Sequence, residues 1–107
     1  MKEMLTREHI LKKLREELPH LLEQYGVEKI AIYGSYAKGL PRKKSDVDIL
    51  VHLARPLGLD FIALTCHLEK LLRKRVDLAT FETLKRSMDH PRYVRIASNI
   101  QRTLSYV

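Results

Sequence analysis

Two aspartates alternate with aliphatic residues in the segment DVDILV, residues 46–51. Successive side chains of a β-strand point to opposite faces of a sheet, so this alternation predicts a strand with one apolar face. Asp46 and Asp48 would then point to the same side, with their Cα atoms ~6–7 Å apart from the rise of a strand. The fold must therefore bury the aliphatic face of this strand and keep a carboxylate pair on the other.

The other apolar patterns predict a small mixed β-sheet backed by helices, in the order α-β-β-α-β-α. This order is typical of the α/β (α+β) class. A short helical turn is predicted at residues 36–39. The other predicted elements are helices at 10–25, 59–74 and 81–104 (the last in two pieces separated by His90 and Pro91), and strands at Val27–Tyr33, Val47–Leu53 and Val76–Thr80.

The structural roles of four individual residues can be predicted from their positions. Pro19 lies inside the first helical pattern and predicts a kink or two consecutive helices. Gly26 is expected to end that helix. Cys66 lies on an apolar stripe of the next helix, so we expect it to pack in the core. Tyr33 stands at the end of a strand, where half-buried packing is the ordinary role of a tyrosine.

The length of 107 residues leaves room for one domain spanning residues 1–107. Twenty Lys and Arg against thirteen Asp and Glu give a net charge of +7, which favours an anionic partner or simply a solvated basic surface. A single cysteine excludes an intramolecular disulfide. With no signal peptide and no apolar run of ~18 residues, we expect a cytoplasmic protein that does not enter a membrane.

The carboxylates of the second and third predicted strands point to metal chemistry. Asp46 and Asp48 raise each other's proton affinity unless a cation lies between them. Mg²⁺ takes one or two carboxylates and leaves its other positions to water and phosphate oxygens. Asp77 would join the pair if its strand pairs with the second strand. The three carboxylates predict a metal-dependent phosphoryl-transfer site, although a D-x-D motif alone also describes an ordinary exposed acidic pair.

The first predicted strand ends at Gly34 and Ser35. Glycine permits close approach of a ligand, and a strand-to-helix turn directs backbone amides and the serine hydroxyl at an anion. Gly39 closes this turn, while Lys38 and the basic residues 42–44 add positive charge suited to a polyphosphate. An ordinary tight turn beside a basic loop is the alternative. The P-loop motif is absent from the sequence.

Gly34-Ser35, ten intervening residues and Asp46-x-Asp48 resemble the G-S-x(10)-D-x-D motif of the nucleotidyltransferase superfamily that includes DNA polymerase beta. The V-D-L element at Asp77 resembles the third aspartate of that family. The resemblance extends over nearly the whole chain. It is strongest to the minimal nucleotidyltransferases that are encoded beside HEPN-domain proteins.

The resemblance implies that Asp46 and Asp48 are catalytic residues that hold two Mg²⁺ ions and the triphosphate of ATP. It implies that Asp77 is the third catalytic carboxylate, a ligand of the metal nearest the incoming nucleophile and a candidate general base. Two metal ions at such a site stabilise the attacking and leaving oxygens of an in-line displacement that releases pyrophosphate.

The resemblance also implies that Gly34, Ser35, Lys38 and Gly39 bind the nucleotide, with Gly34 and Ser35 at its β- and γ-phosphates. Lys38 stands where relatives often carry arginine. Lysine keeps the positive charge but loses the bidentate geometry of a guanidinium, which bears on phosphate affinity rather than on the class of reaction.

By the same resemblance, the chain would transfer AMP from Mg-ATP to a hydroxyl, that of a tyrosine, on a partner HEPN ribonuclease toxin. It would act as the antitoxin and form a hetero-oligomer with the toxin. The chain is too short for the extra domain with which larger relatives bind an antibiotic or nucleic acid, so a macromolecular partner would complete the site.

Two other functions stay open. The chain could neutralise a partner by binding and masking it without catalysis. It could also be a basic nucleic-acid-binding protein, although the sequence has no Trp and no evident helix-turn-helix pattern.

Overall fold

The structure, a computed structural model, describes residues 5–39 and 46–107. Its helices are α1 (Arg7–Tyr25), α2 (Gly34–Ala37), α3 (Asp60–Leu72), α4 (Phe81–Met88) and α5 (Val94–Arg102). Its strands are β1 (Val27–Tyr33), β2 (Val47–Leu53), β3 (Val76–Thr80) and β4 (Ser105–Tyr106). The predicted α/β class and order are confirmed. The predicted short turn is the helix α2, which begins at Gly34, and the two C-terminal helical pieces are α4 and α5.

The four strands form one mixed sheet in the order β3-β2-β1-β4. The strand β1 pairs antiparallel with β2 and with β4. The strands β2 and β3 are parallel, and α3 connects them, as parallel neighbours require a crossover. The two-residue strand β4 was not predicted, because a segment this short carries no readable periodicity.

The helix α1 begins and ends at residues suited to those positions. The hydroxyl of Thr6 accepts a hydrogen bond from the backbone N–H of His9 at 3.2 Å, which satisfies a free donor of the first turn. Gly26 has φ +72° and donates its N–H to carbonyls of the last turn, the left-handed conformation that glycine adopts without strain.

Pro19 lies inside α1, which runs as one helix, so the expectation of two consecutive helices is wrong. Proline removes one backbone hydrogen bond from the helix. Pro19 is exposed, and α1 is anchored on both sides of it by Leu14 and Leu21, which are fully buried. Packing of the apolar face thus holds the helix together across the proline.

The main core lies between one face of the sheet and the helices α1 and α3. The side chains of Val47, Ile49 and Val51 on β2 are fully buried there, as the alternation predicted. Residues from α1 and α3 cover them, among them Ile10, Leu14, Leu21, Leu64, Leu68 and Leu72. The aliphatic face of β2 is therefore the centre of the fold.

Cys66 is exposed, so its predicted place in the core is wrong. The buried residues of α3 are Leu64, Leu68 and Leu72, which recur every four residues along one face of the helix. Cys66 falls two residues from Leu64 and Leu68, and therefore points away from the sheet. Together with Ile62, it belongs to a second apolar stripe that faces solvent.

The opposite face of the sheet carries a smaller core. Leu50, Leu84 and Ala97 are its buried members, contributed by β2, α4 and α5. The helices α4 and α5 cover only part of this face, which leaves the starts of β2 and β3 open. No helix in the described ranges is long and apolar enough to cross a lipid bilayer.

Candidate active site

Asp48 and Asp77 are paired residues in the parallel ladder of β2 and β3. Residues that lie directly opposite each other point to the same face of a sheet, here the face away from the main core. The pairing begins just before these residues, where the N–H of Val47 donates to the carbonyl of Arg75 at 2.9 Å. Asp46 immediately precedes β2 and is exposed, as is Asp77. We call Asp46, Asp48 and Asp77 the acidic row.

The negative charges of Asp77 and Asp46 act on the carboxyl group of Asp48. The pKa of Asp48 is raised from 3.8 to about 6, first by burial of its carboxyl group and then by the negative charges of Asp77 and Asp46. The three carboxylates therefore lie close enough to repel. Such an arrangement is stabilised by a cation that binds between them.

Tyr33 continues the row onto β1, where it is the antiparallel partner of Asp48. Its side chain is half-buried, as predicted. Burial, followed by the charges of Asp48 and Asp77, raises its pKa from 10.0 to about 12. The phenol therefore stays neutral beside the carboxylates and remains a hydrogen-bond donor. The position of Tyr33 beside this row is a feature that sequence reasoning missed, although alternation with the buried Ile32 places it on this face.

Gly34 follows Tyr33 and has φ +73°, a conformation that favours glycine. A side chain at this position would overlap the carboxylate of Asp48. Glycine is thus required here by backbone conformation and by space. The close approach fixes the turn after β1 against the acidic row.

The short helix α2 carries the other predicted nucleotide-binding residues. Ser35 is partly buried, whereas Lys38 and Gly39 are exposed after the last helical residue. The N–H of Lys38 donates to the carbonyl of Gly34 at 3.1 Å, which closes the turn. Lys38 and Gly39 lie beside the start of α1 in a groove with Thr6. The basic residues 42–44 fall outside the residues that the structure describes.

The donor set of the acidic row fits Mg²⁺. Carboxylate oxygens are its preferred protein ligands, and the pKa of Asp48 is raised first by burial and then by the negative charges of Asp77 and Asp46. No ion pair between residues of the described ranges neutralises Asp46, Asp48 or Asp77. No three His, Cys, Asp or Glu side chains of those ranges are arranged as a ready-made metal-binding group. A metal ion would therefore draw ligands from phosphate or water as well as from the row.

A mixed sheet that places carboxylates on two parallel strands, beside a glycine turn that closes on one of them, defines a nucleotidyltransferase. The chain belongs to the nucleotidyltransferase domain family, whose model matches residues 11–103, and it resembles the MntA-like minimal members of that family.

Two relatives align with almost the full length of the chain. Protein adenylyltransferase MntA of Thermococcus cleftensis is 40% identical over 105 residues, which cover 97% of this chain and 98% of that protein. A homologue from Methanocaldococcus jannaschii is 38% identical over 97% of this chain and 100% of its own.

Solved structures share the fold. The structure of a minimal nucleotidyltransferase has a TM-score of 0.69 at 28% identity, covering 97% of this chain and 98% of that chain. A toxin–antitoxin complex with AMP-PNP has a TM-score of 0.51 at 31% identity, covering 71% of this chain and 57% of that chain. A further toxin–antitoxin structure of MntA has a TM-score of 0.60 at 21% identity, over 95% of this chain and 72% of that chain, and supports the fold alone.

Proposed function

We propose that this protein transfers an adenylyl group from Mg-ATP to a tyrosine hydroxyl of a partner HEPN ribonuclease toxin, and thereby acts as its antitoxin. The observation that carries the proposal is the pairing of Asp48 with Asp77 in register, with Gly34 packed on the Asp48 carboxylate. The 40% identical relative is named a protein adenylyltransferase, and a 31% identical relative forms a toxin–antitoxin complex with AMP-PNP.

The acidic row would hold the metal. Asp46, Asp48 and Asp77 offer carboxylate oxygens on one side of the sheet, and a cation would stabilise the charged form of Asp48, whose pKa is raised by burial and then by its two acidic neighbours. Mg²⁺ supplies, when bound, electrostatic stabilisation of the attacking and leaving oxygens.

The turn after β1 would hold the triphosphate. Gly34 and Ser35 present backbone N–H groups and a hydroxyl at the end of the strand that borders Asp48. Their place in the motif assigns them to the β- and γ-phosphates. Lys38 and Gly39 lie one turn further on, where the ammonium group of Lys38 adds positive charge for the phosphate tail.

In the transfer step, the acceptor oxygen attacks the α-phosphorus of ATP and a new oxygen–phosphorus bond forms. The bond from the α-phosphorus to the bridging oxygen breaks, and pyrophosphate leaves with that electron pair. The acceptor hydroxyl loses its proton to the Asp77 carboxylate, which is exposed and passes it to solvent. The products are an adenylylated hydroxyl and pyrophosphate.

The test uses the purified protein, its candidate HEPN-domain partner, Mg²⁺, and ATP labelled at either the α- or the γ-phosphate. We expect label from the α position on the toxin together with release of pyrophosphate. Transfer from the γ position would identify a kinase and contradict the proposal.

Asp48→Asn is the matched variant, because it keeps the shape of the side chain and removes its charge. Should this variant neutralise the toxin in cells as well as the wild-type protein does, masking rather than adenylylation is the function. Binding to RNA or DNA with a steep dependence on salt, and without transfer of label, would favour a nucleic-acid-binding protein instead.

A further inference from the structure

A pocket of about 190 Å³ lies between the sheet and the helices α4 and α5. Leu50 of β2 and Ala79 of β3 line it from the sheet, and Ile96, Ala97 and other residues line it from the helices. Nearly all of these side chains are aliphatic or aromatic. None of the residues assigned above to the metal or the triphosphate lines the pocket.

The pocket lies next to the acidic row. Leu50 and Ala79 are register partners across β2 and β3, two residues after the partners Asp48 and Asp77. Positions two residues apart on a strand share a face and lie ~6–7 Å apart. Tyr33 belongs to both places, because it lines the pocket and pairs with Asp48. A group seated on Leu50 and Ala79 is therefore directly next to the carboxylates.

The size and lining of the pocket favour a single ring with few polar atoms. A volume of about 190 Å³ is below the ~300 Å³ at which pockets hold a whole drug-sized ligand. The hydroxyls of Ser87 and Thr83 are already bonded, Ser87 to the Thr83 carbonyl at 2.9 Å and Thr83 to Thr80 at 3.0 Å. An adenine ring would bury several polar edge atoms here with fewer partners than they need, and such burial is costly. Among the described residues that line the pocket, the Tyr33 hydroxyl and the remaining capacity of Ser87 and Thr83 are the only side-chain polar groups near the sheet. A phenol has one polar atom, at its tip.

The rim of the pocket extends the apolar surface outward. Ile96 of α5 is 62% exposed and Tyr93, which immediately precedes α5, is 46% exposed, and both line the pocket. An incoming protein segment can therefore cover these residues while one of its side chains enters the pocket.

We propose that this pocket seats the aromatic ring of the acceptor tyrosine on the partner toxin and directs its hydroxyl at the acidic row. The inference rests on the proposed function and adds an acceptor site to it. According to this inference, the pocket of this chain selects tyrosine over serine as the acceptor, because the short side chain of a serine would leave the pocket empty.

The experiment compares two non-reacting toxin variants, with the acceptor tyrosine changed to phenylalanine or to alanine, as inhibitors of α-label transfer to the wild-type toxin. A phenyl ring fills the pocket but lacks the hydroxyl that reacts. We expect the phenylalanine variant to inhibit at a concentration ~10-fold or more below that of the alanine variant, from the transfer energy of a buried ring.

Ala79→Leu fills the pocket from the sheet and should bring the inhibition constants of the phenylalanine and alanine toxins within about twofold of each other. Its affinity for ATP, measured by competition against a fluorescent ATP analogue, should stay unchanged. Ile96→Glu places a charge at the exposed rim, where folding is not at stake, and should have the same effect. Ile62→Glu on α3 is the matched control, because Ile62 is also 62% exposed but lies outside the pocket.

Equal inhibition by the phenylalanine and alanine toxins with the wild-type enzyme would overturn the acceptor pocket while leaving adenylylation intact. A loss of ATP affinity in Ala79→Leu and Ile96→Glu, with the ratio of inhibition constants preserved, would assign the pocket to the adenine base and also overturn it. Absence of any α-label on the wild-type toxin would instead reject the proposed function, and the acceptor pocket with it.

Discussion

Asp48 and Asp77 face each other across the parallel ladder of β2 and β3, although a whole helix separates them in the sequence. The crossover through α3 is what makes them neighbours. Burial first, and then the negative charges of Asp77 and Asp46, raise the pKa of Asp48 to about 6. The pair combines the negative charge needed to bind a cation with a sheet that resists moving the carboxylates apart.

Neutralising either carboxylate should remove adenylyl transfer without unfolding the protein. Asp48→Asn and Asp77→Asn each delete one charge of the acidic row, and we expect the rate of α-label transfer to fall at least ~10²-fold, as on loss of other transition-state charges. Glu16→Gln, a change at an exposed carboxylate of α1, serves as the control and should keep full activity. Wild-type rates in Asp77→Asn would exclude it as a catalytic residue.

Gly34→Ala should destabilise the protein more than an ordinary glycine substitution at positive φ. Gly58→Ala is the comparison, since Gly58 has φ +56° with open space around it, and should cost about 1–2 kcal/mol from backbone strain alone. At Gly34 the overlap with the Asp48 carboxylate adds roughly 1–3 kcal/mol, the usual cost of overpacking. Urea unfolding measures both.

A double-mutant cycle isolates the overlap between these two positions. With Asp48→Ala in the background, Gly34→Ala should cost about as much as Gly58→Ala, because the obstructing carboxylate is gone. An unchanged cost of Gly34→Ala in that background would show that backbone conformation alone explains the glycine.

The stability of the metal-free protein should depend on the ionisation of Asp48. Its pKa is raised from 3.8 to about 6, so the folded protein binds the proton more tightly than the unfolded chain does. The resulting stabilisation is complete below pH 3.8 and is lost as the pH rises through about 6.

Asp48→Asn removes this dependence and should raise the free energy of unfolding near neutral pH. We expect roughly 1 kcal/mol, well under the value that a fully buried group would give, because solvent screens this partly exposed carboxyl. Urea unfolding in the presence of a chelator, at about pH 4 and about pH 8, measures the effect. A gain that is larger at the acidic pH would contradict the assignment.

The phenol of Tyr33 should titrate above the ordinary pKa of a tyrosine, 10.0. The chain has five tyrosines, and the difference in phenolate absorbance between the wild type and Tyr33→Phe isolates this one. Burial and the charges of Asp48 and Asp77 raise its pKa to about 12. Asp48→Asn should lower that pKa toward 10 by removing a negative charge, whereas Glu16→Gln should leave it unchanged. A Tyr33 pKa that does not respond to Asp48→Asn would place the two groups further apart than the sheet does.

The carboxylates were predictable because a strand has a period of two. Once Val47 and Ile49 are buried, Asp48 must face the other side, and the same rule places Asp77 between Val76 and Leu78. The pairing of β2 with β3 brings the two aspartates together. The sequence does not determine which strands pair, so the place of Asp77 could be predicted only on the assumption that its strand pairs with β2.

The helix α3 was harder to interpret, because it has two apolar stripes. Leu64, Leu68 and Leu72 face the sheet, whereas Ile62 and Cys66 face solvent, and the sequence pattern alone does not say which stripe is buried. The pocket beneath α5 was also beyond sequence reasoning. It depends on how far α4 and α5 cover the sheet, which is set by the tertiary packing of Leu84 and Ala97 on Leu50.

The Asp48 carboxylate occupies the space that a side chain at position 34 would need, so substitutions at the two positions are expected to be coupled in evolution. A lineage that abandons catalysis and loses the aspartate keeps the positive φ at this turn but is released from the spatial requirement, and asparagine, which tolerates positive φ, becomes acceptable there. A residue other than glycine at this turn of a homologue is therefore expected only where the aspartate has been lost as well, and the joint loss marks a descendant that has ceased to be an enzyme.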